Sequence, residues 1–95
     1  MRIIGRKLVE EFIKKHLDCR SAVASLVLEI ESAEWSTPYD IKAQYTRASI
    51  IGNTNVVFNL SGNKYRLWVI VTYKNGIVLI KNIATHKEYD RWEIK

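Results

Sequence analysis

One cysteine, one proline and two histidines are all that 95 residues hold of three residue types that often shape small proteins. Cys19 alone excludes an internal disulfide, and with His16 and His86 it falls short of a four-ligand zinc set. The sequence therefore predicts neither a covalent staple nor a structural metal, and it fits a reducing cytosol. Long apolar runs are also missing. None approaches the roughly 20 residues of a membrane span, and Met1-Arg2-Ile3-Ile4-Gly5 has no signal-peptide stretch. With four glycines there is no linker, repeat or low-complexity tract, so residues 1–95 read as one domain. A hydrophobic content of 47% is enough for a single core in a chain of this length.

Positive charge is abundant, and it is unevenly placed. The net charge is +5. Through Trp35, six basic residues are cancelled by six acidic ones; from Ser36 onward nine basic residues face four acidic ones, so the whole excess lies there. A localised positive field attracts polyanions, of which nucleic acid is the commonest in a cytosol. Charge alone does not separate such a face from an ordinary solubilising surface.

Leu8, Val9, Phe12, Ile13 and Leu17 fall at the spacing of a one-faced helix over residues 6 to 17, with Glu10–Lys14 and Glu11–Lys15 paired opposite. Asp18 is placed to cap a second helix over about residues 19 to 33, striped by Val23, Leu26, Val27 and Ile30. Pro38 suits the first position of a short helix running to Tyr45. The period then changes from 3.6 to 2. Val56 to Leu60, Asn63 to Tyr73 and Ile77 to Thr85 read as an antiparallel meander, turning at Ser61-Gly62 and at Asn75-Gly76. The expected fold class is α+β, with two amino-terminal helices packed on one face of a small antiparallel sheet.

Two-residue turns at both hairpins would pair Phe58 with Tyr65, Val57 with Arg66, Trp68 with Ile83 and Arg66 with Thr85. One face then carries Val56, Phe58, Tyr65, Leu67, Val69, Val71, Val78, Ile80 and Ala84 and should take the helices. The other carries Asn59, Lys64, Arg66, Trp68, Lys81 and Thr85. Cations beside an indole suit single-stranded nucleic acid. An exposed sheet face that needs polar residues, with Trp68 covered by the carboxy-terminal segment, accounts for the same pattern, and a one-residue slip would exchange the faces. Beyond the last strand, Thr85 to Trp92 gathers His86, Lys87, Tyr89 and Asp90. His86 and Tyr89, three apart, could share a direction for acid–base work, or the segment could be a hydrophobic plug.

Taken together, Met1-Arg2-Ile3-Ile4, Trp35-Ser36-Thr37-Pro38-Tyr39-Asp40-Ile41-Lys42-Ala43, Val56 to Leu67 and Thr85-His86-Lys87-Glu88-Tyr89-Asp90 resemble the HigB toxin family, within the RelE/ParE-like toxin group. The likeness runs in order through nearly the whole chain. It implies a RelE-like fold and a ribosome-dependent mRNA interferase without cofactor or metal, in which the ribose 2′-hydroxyl attacks the adjacent phosphate. It also implies a cytoplasmic location, messenger RNA on the ribosome as target, no membrane, and a HigA-like helix-turn-helix antitoxin as partner. Asn63, Lys64 and Arg66 match the family's Gly-Asn-x-x-Arg-Leu strand, and His86, Tyr89 and Asp90 match its Thr-His-x-Glu-Tyr-Asp ending.

The resemblance implies a catalytic set of Lys64, Arg66, His86 and Tyr89. Arg66 would stabilise the phosphorane with help from Lys64, His86 would act as general acid or base, and Tyr89 would make the second proton transfer or stack on a base. Lys42, Arg47 and Lys81 would hold flanking phosphates, with Asn63 and Trp68 also touching RNA. A non-catalytic RNA-binding module, a degenerate toxin and a ParE-like gyrase poison are the alternatives.

Overall fold

The computed structural model describes residues 1–92 and 94. Glu93 and Lys95, which enter the charge balance, lie outside the described residues. The chain runs β1 (Arg2–Ile4), α1 (Arg6–Lys15), a 3₁₀ turn (Leu17–Cys19), α2 (Arg20–Ser32) and α3 (Pro38–Gln44). It continues with β2 (Ser49–Ile51), β3 (Asn55–Leu60), β4 (Tyr65–Thr72), β5 (Ile77–Thr85) and α4 (His86–Tyr89). Gly5 adopts φ 97° between β1 and α1, and a Cβ there would lie 3.0 Å from the Ile80 carbonyl oxygen. A glycine lets the chain turn against β5. Pro38 opens α3, where the Asp40 carboxylate accepts from the backbone N–H groups of Ser36 at 2.8 Å and Thr37 at 3.0 Å.

The sheet order is β1-β5-β4-β3-β2. The expected meander forms its centre, and two short edge strands extend it. β1 pairs with β5 in parallel, so the sheet is mixed rather than purely antiparallel. Three-residue strands are too short to declare a period of two, which is why neither was foreseen. Both hairpins also differ from the two-residue turns expected: Leu60 pairs with Tyr65 and Thr72 with Ile77, leaving four-residue connections. Each register moves by two residues, and because the side-chain period is two, the faces survive.

Two face assignments do not survive. Val69 pairs with Ile80 but Trp68 pairs with Asn82, so Lys81 is an extra residue in a β-bulge. Beyond it the parity of β5 inverts. Ile83 lies opposite Leu67 and joins the core, while Ala84, expected there, lies opposite Arg66 on the other face. Thr85, expected on the Arg66 face, lies opposite Tyr65.

The core fills the space between the helices and one sheet face. Val9, Val23, Leu26, Ile30 and Ile41 meet Val56, Phe58, Leu60, Leu67, Val69, Val71, Val78 and Ile80 there. Trp35 is buried against Phe58 and Tyr45. Leu8 and Leu17, placed on the apolar stripe by spacing alone, are exposed instead. Helix α1 stops at Lys15, and Asp18 does not cap α2, whose N-cap position is Cys19. On the other face α4 and Trp92 cover part of the sheet, and Val57, Arg66 and Ala84 are buried there too.

Candidate active site

Arg66, the second residue of the central strand β4, is only 7% exposed, the one charged side chain among the buried residues described. A guanidinium in such a place needs acceptors. Its Nη1 donates to the Asn63 carbonyl at 2.7 Å and to the Tyr65 carbonyl at 3.2 Å. Its Nη2 lies 2.8 Å from His86 Nδ1. Because arginine only donates, Nδ1 must accept, and a neutral His86 then carries its proton on Nε2. The Tyr89 ring covers the guanidinium, with its centroid 5.3 Å from Cζ. Among the described residues no carboxylate forms an ion pair with Arg66. The pair is therefore a positive centre held by neutral acceptors, with a half-exposed imidazole at its mouth.

His86 and Tyr89 owe their position to the turn of helix that follows Thr85. The Thr85 side chain accepts from the Glu88 backbone N–H at 3.3 Å, and the Glu88 carboxylate accepts from the Thr85 backbone N–H at 3.2 Å. This capping box starts α4 at His86. Thr85 hydrogen bonds hold the Glu88 carboxyl below its usual range. The next chain turn puts Asp90 Oδ2 3.8 Å from His86 Nε2. The core-side position beside Tyr65 that simple register would give His86 is thereby avoided.

Lys64 is placed differently from Arg66. Its ammonium pairs at 2.5 Å with Asp18, on the 3₁₀ turn of the helical layer. Asp18 also accepts the Tyr65 hydroxyl at 2.6 Å. The hydrogen bonds from Lys64 and then Tyr65 hold the Asp18 carboxyl below its ordinary range and push the Lys64 ammonium and the Tyr65 phenol up. All three keep their usual charge state near neutral pH. What Lys64 brings directly to the site is its backbone: its carbonyl accepts from the His86 N–H at 3.1 Å.

The remaining sequence candidates spread outward. Asn63, at φ 78°, supplies a carbonyl to Arg66 and lines a cleft of about 390 Å³ together with Asn59 and Arg47. Arg47 also lines a second groove, of about 810 Å³, with Lys42, Tyr39 and Tyr73. Lys42 Nζ donates to the Ala48 carbonyl at 2.5 Å. This second groove meets the Asn55 end of β3, roughly 20 Å of strand from the Leu60 end where Arg66 and His86 meet. Lys81 is exposed at the bulge. Trp68 is not an open stacking platform: its Nε1 donates to Asn55 Oδ1 at 2.9 Å and its ring packs on Trp92 at 5.7 Å. Among the described residues no three His, Cys, Asp or Glu side chains converge into a metal-binding group.

The profile of the HigB toxins, described as the RelE-like toxic component of a toxin–antitoxin system, matches residues 19–92. This chain belongs to the HigB toxin family. Over 93 residues this HigB-family chain is 27% identical to an "mRNA interferase HigB" of Escherichia coli O6:H1, covering 96% of the chain and 90% of the relative. It is 25% identical over 92 residues to the "mRNA interferase toxin HigB" of Escherichia coli K12, covering 95% and 88%. The same figures hold for an "mRNA interferase HigB" of Shigella flexneri. The α+β architecture, with α1 and α2 on one face of the sheet and the short α4 on the other, agrees with the RelE-like fold of the family. No helix among the described residues is long and apolar enough to cross a membrane. Among the polar groups of this HigB-family site, Asp18 was read from sequence only as a helix cap. Nothing local marks its pairing with residues 46 and 47 positions away.

Proposed function

We propose that this HigB-family protein is a messenger-RNA endoribonuclease that acts on the translating ribosome and is silenced by a HigA-like helix-turn-helix antitoxin. The observation that carries the chemistry is the 2.8 Å contact between Arg66 Nη2 and His86 Nδ1 beside the Tyr89 ring. A fixed cation and a titratable base within one hydrogen bond of each other match a reaction that builds negative charge on a phosphate while it moves protons. The names of the relatives support the substrate class. Ribosome dependence, the antitoxin and a cytoplasmic setting rest on the family resemblance.

In the proposed reaction a base removes the ribose 2′-hydroxyl proton and the oxygen attacks the adjacent phosphorus. The bond from phosphorus to the 5′-oxygen breaks as that oxygen is protonated, leaving a 2′,3′-cyclic phosphate and a 5′-hydroxyl, with no metal in the step. Arg66 would move its Nη2 from the imidazole to a phosphate oxygen and neutralise the phosphorane. That movement frees the Nδ1 lone pair, which suits His86 to take the 2′-hydroxyl proton. Tyr89 then serves the leaving oxygen or stacks on a base. Lys64 adds positive charge from the rim. Arg47 and Lys42, in two grooves that share Arg47, and exposed Lys81 would hold flanking phosphates, with Asn63 lining one of those grooves.

Primer extension on messenger RNA from cells expressing the protein tests this. New 5′ ends should appear and should be absent with Arg66→Ala or His86→Ala. Growth arrest without new 5′ ends would instead favour an RNA-binding module, and altered plasmid supercoiling with intact messenger RNA would favour a gyrase poison.

A further inference from the structure

We propose that Asp18 is a positioning residue for the Arg66–His86 pair, acting through the turn Ser61–Lys64. The turn is unusual in its backbone. Ser61, Gly62 and Asn63 adopt φ of 49°, 60° and 78°, three successive residues in the left-handed region, two of which bear a Cβ. Asn adopts that region readily, but a serine holds it only where the surroundings fix it. This turn and the Tyr65 that follows it also supply the backbone acceptors of the site. The Asn63 and Tyr65 carbonyls fix Nη1 of Arg66, and the Lys64 carbonyl fixes the first N–H of α4. A shift of the turn would move the guanidinium and the imidazole together.

Asp18 is the group that ties this turn to the helical layer. Each of its carboxylate oxygens receives one of the two residues that follow the turn's left-handed stretch: Oδ2 takes the Lys64 ammonium and Oδ1 the Tyr65 hydroxyl. Its own anchor is firm. Cys19 beside it is fully buried and donates to the His16 carbonyl at 3.1 Å, while the His16 ring stacks on Phe12 and meets the Tyr65 ring edge-on. A carboxylate at the rim of a site for a polyanion opposes binding through its charge, so affinity for RNA does not explain it. Geometry does. Misplacement of catalytic groups by about 1 Å can cost a hundredfold in rate, so a brace of this kind has a measurable effect.

The assignment rests, for its activity arm, on the ribonuclease reading above, and the test keeps the two apart. Single-turnover RNA cleavage and imidazole ¹⁵N NMR of His86 would be measured for wild type, Asp18→Ala, Asp18→Asn and Tyr65→Phe. In Asp18→Ala the cleavage rate at saturating RNA should fall about tenfold while the half-saturating RNA concentration stays equal or drops. Asp18→Asn, which keeps an acceptor for Tyr65, and Tyr65→Phe, which removes one donor and leaves the ring, should fall less. In RNA-free protein His86 should pass from one neutral tautomer, with the proton on Nε2, to a tautomer mixture in Asp18→Ala. If wild type cuts no RNA yet the tautomer changes, the ribonuclease reading fails and the brace stands. An unchanged His86 signature in folded Asp18→Ala and Tyr65→Phe, a tautomer change with an undiminished cleavage rate, or a rate loss that only follows the folded fraction, would overturn the role of Asp18.

Discussion

At the scale of single residues, Arg66 draws its importance from geometry as much as from charge. A planar guanidinium can serve the Asn63 and Tyr65 carbonyls with one nitrogen and His86 Nδ1 with another, whereas a lysine ammonium is a single point on a flexible stem. Arg66→Lys should therefore keep RNA affinity within a few fold, because the charge remains, but lower the cleavage rate about a hundredfold, the usual cost of one lost oxyanion donor. Fluorescence anisotropy with a short RNA and single-turnover cleavage separate the two quantities; a lysine variant with wild-type rate would show that fork geometry is dispensable. The sequence brings Arg66 and His86 to the same end of a hairpin and gathers His86 with Tyr89 beyond a strand end, but register alone would put His86 on the core side, and its contact with Arg66 comes from the turn into α4. Lys64 was legible as a neighbour but not as the partner of Asp18, since a rotamer choice across 46 residues leaves no local mark.

At the scale of elements, α4 is the least self-sufficient piece of the site. Four residues cannot sustain a helix by propensity, so the Thr85–Glu88 capping box and the contacts of α4 with β4 and β5 hold it in place. Thr85→Ala removes the acceptor for the Glu88 N–H and should cost about 1 kcal/mol of stability in chemical denaturation. Its effect on cleavage should exceed what that small loss in folded fraction explains, because His86 and Tyr89 ride on the helix, and Thr85→Ser should restore both. Equal denaturation midpoints for wild type and Thr85→Ala would show that the cap is idle. The pattern Thr85-x-x-Glu88 marks this start in the sequence, just as period-two runs mark β3, β4 and β5. The bulge at Lys81 carries no such mark. Ile80 to Ala84 alternates equally well with or without an extra residue, and only packing against β4 and α4 decides that Ile83 turns inward and Ala84 lies beside Arg66.

At the scale of the whole molecule, the division of charge along the chain becomes a division in space. The neutral amino-terminal third forms β1 and the two helices that close the core, while the basic remainder forms the four other strands, α3 and α4. Arg47 lines both the cleft that reaches Asn63, which Glu29 also lines, and the groove that holds Lys42, so a path from Asn63 toward the other end of β3 passes two cations. A single-stranded RNA lying along that path would release counterions at each phosphate it meets. The logarithm of its affinity should then fall with the logarithm of salt concentration at about −0.7 per contact. If Lys42 and Arg47 each hold a phosphate, Lys42→Gln with Arg47→Gln should make that slope shallower by about 1.4 and leave the cleavage rate at saturating RNA unchanged, since neither residue touches the Arg66–His86 pair. Lys7→Gln with Lys15→Gln, the same charge change on exposed positions of α1, should leave the slope as it is. Equal slopes for the two double variants would mean that net charge, and not a track through the grooves, governs how the RNA is held.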